Sequence, residues 1–344
     1  MTRLRIAPLV LLAALGCQRL VDGGAEDDGG TTGDEPLEAC DGLLTQTPSV
    51  LLETGAYSPD VIVDGDTLVI VEPGQYGWLR RLDRCSGAEL SATPVPFLAR
   101  AIVHEGAVVF TGISEGPNPY LERWDELAND LVFLTEARFA RLYSHSSGLY
   151  LADNEEIFRF DEPDALTLVH TIETQDIPGL TVSNIGASEA GFYHRVDYDC
   201  GCTPTLSRWP IGAADPVGVP GSPGARRLAA VGDRIFINVD QNPSGFGSGI
   251  DDIVELPAEG GEPIVLFSGV LEDGPVQDIA ASDEWVCWTN LVVPPRCVSR
   301  ADPSELRAFA SASEGVVRKL ALAEDAVYWF VEDQGVSTLM GAAL

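Results

Sequence analysis

Asp60, Arg100, Arg141, Asn184, Arg227, Asp278 and Lys319 recur 40, 41, 43, 43, 51 and 41 residues apart, each at the start of a short apolar run. Four of the seven are cations, in a chain with 53 Asp and Glu against 21 Lys and Arg. Residues that repeat at one period converge when the repeats close on themselves. Converging guanidinium and ammonium groups suit an anionic or polar ligand. The competing reading is that they pair with loop carboxylates and only pin the repeats together. A catalytic metal needs three or four oxygen or nitrogen ligands at one point. This set offers Asp60, Asn184 and Asp278, diluted by cations, so no metal is expected there.

Other motifs carry less. Gly112-Ile113-Ser114-Glu115-Gly116 has the spacing of a serine nucleophile turn, but that device needs a helix after the serine, and Pro117-Asn118-Pro119 starts none. Gly245-Phe246-Gly247-Ser248-Gly249 resembles a phosphate loop, yet a strand follows it and no lysine accompanies it. His104 and His145 occupy one position in adjacent repeats. They would either share a metal across two repeats or act as turn-facing polar groups, and the second reading is the commoner.

Closed repetition is the arrangement that brings such residues together. From about Ser49 each unit holds a short apolar strand, a tight polar turn, a Val/Ile/Tyr/Trp-rich strand, a third strand and a fourth. Second strands include Thr67-Leu-Val-Ile-Val71, Ala107-Val-Val-Phe-Thr111, Arg234-Ile-Phe-Ile-Asn238 and Ala326-Val-Tyr-Trp-Phe330. Third strands carry Arg81-Leu-Asp83, Arg123-Trp-Asp125, Arg159-Phe-Asp161 and Arg300-Ala-Asp302, whose alternate residues share a face and predict structural ion pairs. Four strands per period of about 40–45 residues predict an all-β propeller. Seven blades are counted, with six plus a degenerate unit as the alternative. The last unit lacks a fourth strand, and Ser49-Val-Leu-Leu-Glu53 is expected to supply it and so cover an exposed sheet edge. Long second-to-third connections are expected at Glu72–Gly77, Gly112–Pro119, Val196–Pro204, Val239–Gly249 and Asn290–Arg296. They lie on the face of the seven recurring residues and hold or adjoin Tyr76, Tyr120, Tyr198, Asp240 and Phe246.

Residues 1–16 read as a leader: Arg3 and Arg5 precede an apolar run, Ile6–Leu15, too short to span a bilayer. Ala14-Leu15-Gly16-Cys17 resembles the lipobox of bacterial lipoproteins, although that family prefers Leu three before the Cys and a small residue two before it. The resemblance implies a lipid on Cys17 as the only membrane anchor, with an ordinary secretory leader as the alternative. Gln18 in place of Asp implies, by the family's sorting rule, the outer membrane of a Gram-negative bacterium. Residues 17–39 are an acidic, glycine-rich tether with almost nothing to bury. Its carboxylates offer weak Ca²⁺ binding at most, and no other cofactor is expected. The formal charge of −32 repels nucleic-acid phosphates and anionic membrane surfaces.

Apart from Cys17, six cysteines remain, an even number for an oxidising compartment. Cys287 and Cys297 sit on neighbouring strands of one hairpin and are paired. Cys200-Gly201-Cys202 reads as a loop disulfide, with a metal or redox site as the alternative. Cys40 with Cys85 follows by elimination.

Trp285-Val-Cys-Trp-Thr-Asn290, Val327-Tyr-Trp-Phe330 and Leu149-Tyr-Leu-Ala-Asp153 resemble the Tyr-Trp-Thr-Asp repeat of low-density-lipoprotein-receptor-type propellers, which have six blades. That resemblance, and a broader one to lipoprotein propellers of Gram-negative bacteria, implies fold and export and little chemistry. The expectation is a monomeric, lipid-anchored, non-catalytic binding or scaffold module, residues 40–344, with a protein or glycan partner. A propeller hydrolase or lactonase acting at the central channel is the alternative.

Overall fold

The computed structural model describes residue 40 and residues 43–344, apart from 114–118, 126–127, 129, 137–140, 153–155, 162–164, 172–179, 199–203, 214, 242–249, 271–272, 291–292 and 311–314. The leader, Cys17, the tether and Cys200-Gly201-Cys202 lie outside the described residues, as do both glycine-rich motifs in the main.

The described elements are antiparallel strands grouped in sheets. Strand β1 (Ser49–Thr54) comes first. A seven-stranded sheet follows, from β2 (Asp60–Asp64), β3 (Thr67–Glu72), β4 (Gly74–Asp83), β5 (Glu89–His104), β6 (Ala107–Ile113), β7 (Pro119–Asp125) and β8 (Asp130–Glu136) in sequence order. Next are β9 (Arg141–His145), β10 (Gly148–Ala152), β11 (Glu156–Asp161) and β12 (Ala165–Thr171), then β13 (Leu180–Ser188), β14 (Gly191–Tyr198), β15 (Thr205–Trp209) and β16 (Val217–Gly218). Two more four-stranded sheets comprise β17 (Leu228–Val231), β18 (Arg234–Asp240), β19 (Asp251–Pro257) and β20 (Ile264–Phe267), and β21 (Val276–Ala281), β22 (Trp285–Asn290), β23 (Arg296–Ser299) and β24 (Leu306–Ala308). The last holds β25 (Val316–Leu322), β26 (Ala326–Asp333) and β27 (Val336–Ala343), with β1 added at its edge.

Strand β5 ends one four-strand unit and begins the next, and its register breaks between Leu98 and Arg100. Divided there, the strands group as seven units of four. The inner strands β2, β5, β9, β13, β17, β21 and β25 each contact the next, and β25 contacts β2, so they close a ring. The fold is a β-propeller.

Burial explains why the repeats need that ring. Second strands such as Thr67–Glu72, Trp285–Asn290 and Ala326–Asp333 are buried on both faces and carry continuous apolar runs rather than alternation. Outer strands such as β8 and β12 are largely exposed. The apolar residues collect in seven clusters, and each bridges two neighbouring units. Val69 and Val71, for example, pack against Val108 and Phe110 of the next unit. A single unit has no core of its own, so closure is a condition of stability.

The N-terminal strand closes the ring as expected: β1 pairs antiparallel with β27, Ser49 opposite Gly341 and Thr54 opposite Ser337. A disulfide joins Cys40 to Cys85 (Cα–Cα 5.2 Å), and a second joins Cys287 to Cys297 across β22 and β23 (Cα–Cα 4.0 Å).

Two expectations need correction. The Arg-x-Asp repeats form an internal ion pair only at Arg159–Asp161 (2.7 Å) among the described residues. Elsewhere the aspartate closes the following turn. Asp83 accepts from the Ser86 amide and hydroxyl and the Cys85 amide, and Asp302 accepts from Ser304 in the same way. The arginines look elsewhere, Arg81 to Asp64 and Arg300 to Glu255 and Asp283. A short carboxylate two residues into a turn meets backbone N–H groups sooner than a neighbouring side chain. The second correction concerns connections. Gly74–Gly77 is no loop but the start of β4, paired with β5, and Val196–Tyr198 belongs to β14.

Candidate functional site

Antiparallel pairing sets the site. Asp60 lies opposite Val71, Arg100 opposite Thr111 and Arg141 opposite Ala152, so first-strand starts share one face with second-strand ends. A cavity of about 770 Å³ opens there. Every inner strand contributes to its wall, and Asp60, Arg100, Arg141, Arg227, Asp278 and Lys319 all line it. The structure thus brings together six of the seven recurring residues. Asn184 lies on β13 opposite His194, beside the lining residues Ile185 and Gly186.

The repeat pattern does not reveal how these side chains are aimed. The first-strand register shifts next to the recurring position in four units: at Leu98/Arg100, Asn184/Gly186, Val276/Asp278 and Arg318/Leu320. One extra residue there bends the strand and turns a side chain toward the channel. At Lys319 the bulge takes a left-handed backbone, φ 41°, which a residue with a Cβ adopts only when its surroundings enforce it.

What enforces it is a chain of contacts through three units. Lys319 Nζ meets Asp60 Oδ2 at 3.1 Å. The Leu320 amide donates to Asp278 Oδ2 at 3.0 Å, and the Ile279 amide to Asp278 Oδ1 at 3.1 Å. The Asp60 carboxylate raises the Lys319 pKa above its ordinary value against the opposing effect of burial. Asp278, half-buried in the wall, is pushed up by desolvation, with Lys319 pulling the other way. On this arc the charges are largely consumed by one another.

The other arc differs. Arg100, Arg141 and Arg227 are exposed to the channel, and no carboxylate among the described residues lies within ion-pair distance of any of them. Arg227 donates from Nε to the Gln277 carbonyl and from Nη1 to its neighbour's carbonyl at 3.2 Å. Arg141 contacts the Tyr143 hydroxyl, whose pKa is raised by burial. Arg100 is held below its ordinary pKa first by the enclosing walls and then by repulsion from Arg141. The expectation that loop carboxylates neutralise these groups is therefore not met among the described residues. Arginines outside the wall do pair, as Arg80 with Glu72, Arg81 with Asp64 and Arg296 with Asp273; within it Arg318 pairs with Glu332.

Sequence reasoning missed Tyr57, Ser58, Tyr143 and Arg318 in the wall. Tyr143 was within reach, since it stands two residues after Arg141 and alternate strand residues share a face. Tyr57 and Ser58 lie on the link between β1 and β2, where no periodicity operates.

The remaining candidates lie elsewhere. His104 Nδ1 is 2.9 Å from Ser144 Oγ, while His145 Nε2 is 3.3 Å from a Glu189 carboxylate oxygen. Each imidazole reaches into the following unit and meets a polar group there. No group of three or more metal-type ligands occurs among the described residues. Among the loop-face residues, Tyr76 is 85% exposed. Tyr120 folds back on Phe110 and donates to the Pro96 carbonyl at 2.7 Å. Asp240 is buried near Arg226. Phe246 and the Tyr198 side chain lie outside the described residues.

No family model matches the sequence, and no curated protein matches it. Solved structures do match in fold. The chain is similar to the WD40 domain of Pan2 from Neurospora crassa (12% identity, 87% of this chain and 96% of that one, TM-score 0.55). It is similar to the β-propeller domain of Cps50 (Swd1) from Myceliophteria thermophila (12% identity, 85% and 99%, TM-score 0.56). It is also similar to virginiamycin B lyase from Staphylococcus aureus (9% identity, 86% and 98%, TM-score 0.59). At these identities the likeness shows the propeller and nothing finer.

Proposed function

We propose that this protein is a non-catalytic binding module of the cell envelope, exported by residues 1–16, held on the outer membrane by lipid on Cys17, and binding its ligand or partner at the channel mouth. One observation carries the binding reading: residues that recur at one period through the sequence converge on a single solvent-open cavity walled by every inner strand. Rigid inner strands hold such a site open, and cavities of this size suit ligand recognition.

The hydrolase or lactonase alternative is weaker at this mouth. Its two lining carboxylates, Asp60 and Asp278, are engaged by Lys319 and by backbone amides. No histidine lines it, so no free base faces the cavity among the described residues.

The test uses the full chain in its native membrane, with a photo-crosslinking residue at Tyr57, which is 72% exposed at this mouth. The control carries it at Glu105, on the hairpin at the other end of β5. The reading expects adducts at Tyr57 that are absent at Glu105, with the captured compound recovered unchanged. Equal labelling at both ends sinks the binding face, and recovery of a converted compound favours the enzyme. Membrane fractionation of Cys17→Ser tests the anchor: release into the soluble fraction is expected, and undiminished membrane association overturns it.

A further inference from the structure

The channel mouth is electrically divided, and the division points to a ligand class. We propose that its cationic arc, Arg100, Arg141 and Arg227, binds a small compound through an oxyanion group, a carboxylate or a phosphate. The proposal rests on reading the mouth as the binding face and names what enters it.

Three observations combine. The first is a contrast in pairing. In a chain with 53 Asp and Glu, a cation whose only task is structural readily finds a carboxylate, as Arg80, Arg81 and Arg296 do. Arg100, Arg141 and Arg227 have none within ion-pair distance among the described residues, although they stand together in the wall of one open cavity. Arg100 and Arg141 line the same cavity on adjacent inner strands, and Arg141 works to lower the Arg100 pKa while Asp60 works to raise it. An anion between the two arginines offsets that lowering.

The second is the state of the opposite arc. Among the described residues Asp60 and Asp278 are the only carboxylates in the wall, and they are the groups best placed to neutralise the arginines across the channel. Instead they are tied to Lys319 and to the Leu320 and Ile279 amides. The left-handed bulge at Lys319 is the backbone cost of that arrangement; Asp60 still attracts Arg100 and Arg227 still attracts Asp278, at longer range and without an ion pair.

The third is size and shape. A cavity of about 770 Å³ holds a small molecule and not a folded chain. The wall mixes small residues, Ala99, Ala101, Gly186 and Ala187, with larger ones such as Tyr143 and Leu228, and the three exposed guanidinium groups are open to a planar or tetrahedral oxyanion. Guanidinium geometry matches both, often through two parallel hydrogen bonds.

The experiment measures thermal unfolding and calorimetric binding of the purified full chain, at constant ionic strength in chloride, with inorganic phosphate and citrate as probes. At a hundredfold excess over Kd, the expected rise in Tm is about 4 °C above the chloride control. Arg100→Gln with Arg141→Gln is expected to weaken binding at least about tenfold, the loss of one charge-assisted contact, with the circular dichroism spectrum unchanged. Phosphate alone binding marks a phosphoryl ligand, and citrate alone a carboxylate ligand. No rise with either anion, or a rise that the double variant retains, overturns the proposal. If the double variant does not fold, Arg227→Gln serves instead, and unchanged affinity in it is the overturning result. Failure here with Tyr57 adducts still present rejects only the oxyanion; loss of both rejects the binding face.

Discussion

At the scale of single residues, His194 departs furthest from its repeat. Its position holds Leu151 and Ile237 in neighbouring units, and the imidazole is 3% exposed with neither ring nitrogen hydrogen-bonded. Burial, helped by repulsion from His170, lowers its pKa to about 4. Between pH 6.5 and about 4 the unfolded chain therefore binds a proton that the folded chain refuses. Stability is complete above that window and falls as the pH drops through it, by up to about 3 kcal/mol. His194→Leu, which suits the apolar site, removes this loss. Urea titrations at pH 7 and pH 4.5 are expected to show a markedly smaller difference for the variant than for the wild type. An equal difference places the acid sensitivity elsewhere. Nothing in Gly191-Phe-Tyr-His194 marked the histidine as buried and unpartnered, because alternation assigns a face and not a hydrogen-bond partner.

At the scale of elements, the tight hairpins between first and second strands hold the channel residues in line, and two of them compare cleanly. Gly148 and Gly191 occupy the same turn position with φ of 132° and 135°. A methyl group at Gly148 would meet only the Arg159 side chain at 3.9 Å, whereas at Gly191 it would overlap the Trp209 carbonyl oxygen. Gly148→Ala is expected to cost about 1 kcal/mol from backbone strain alone. Gly191→Ala is expected to cost about 3 kcal/mol or more, since β15 must shift with it. Chemical denaturation of both variants checks the ordering, and equal losses would mean that strain and not the clash decides. This level also shows how much was legible. Strand order, the closing role of Ser49–Glu53 and the convergence of Asp60, Arg100, Arg141, Arg227, Asp278 and Lys319 all follow from period and alternation. The bulges beside Arg100, Asp278 and Lys319 do not. An inserted residue shifts strand alternation by one, but the inner strands carry no strict alternation to break, so only the partner strand's register exposes it. The same limit misassigned the Arg-x-Asp pairs, where spacing put both residues on one face while the turn amides captured the aspartate.

For the ring as a whole, stability depends on one seam, where the first unit meets the last. The ties that cross or brace it include β1 on β27, the Cys40–Cys85 bridge, the Ala343 amide donating to the Thr45 carbonyl at 2.9 Å, and the Arg84–Asp325 and Lys319–Asp60 ion pairs. The two bridges differ in what they constrain. Cys40–Cys85 spans 45 residues and Cys287–Cys297 spans 10, so loop-closure entropy assigns them about 4 and about 3 kcal/mol. Cys40→Ser with Cys85→Ser is expected to lower stability more than the hairpin pair does, and equal Tm losses would argue that the seam is not the weak point. Asp325 tests the seam without touching a covalent bond. Its carboxylate accepts from the Cys40 amide at 3.0 Å and pairs with Arg84, which is 1% exposed. Burial works to raise the Asp325 pKa, but Arg84 and the Cys40 amide outweigh it and hold the group below the usual carboxylate range. Its contribution is therefore intact at neutral pH and is lost only as the pH falls through that lowered value. Asp325→Ala removes the nearest carboxylate from the buried Arg84 guanidinium and leaves it beside Asp66 at 3.6 Å and the Tyr328 hydroxyl, a loss of about 3 kcal/mol. Asp325→Asn keeps an acceptor and is expected to lose less. Because the seam closes the ring, the alanine variant should also show early proteolytic release of the N-terminal strand under native conditions. A variant that is destabilised but cleaved no faster at the N-terminus would show that the ring opens at another joint.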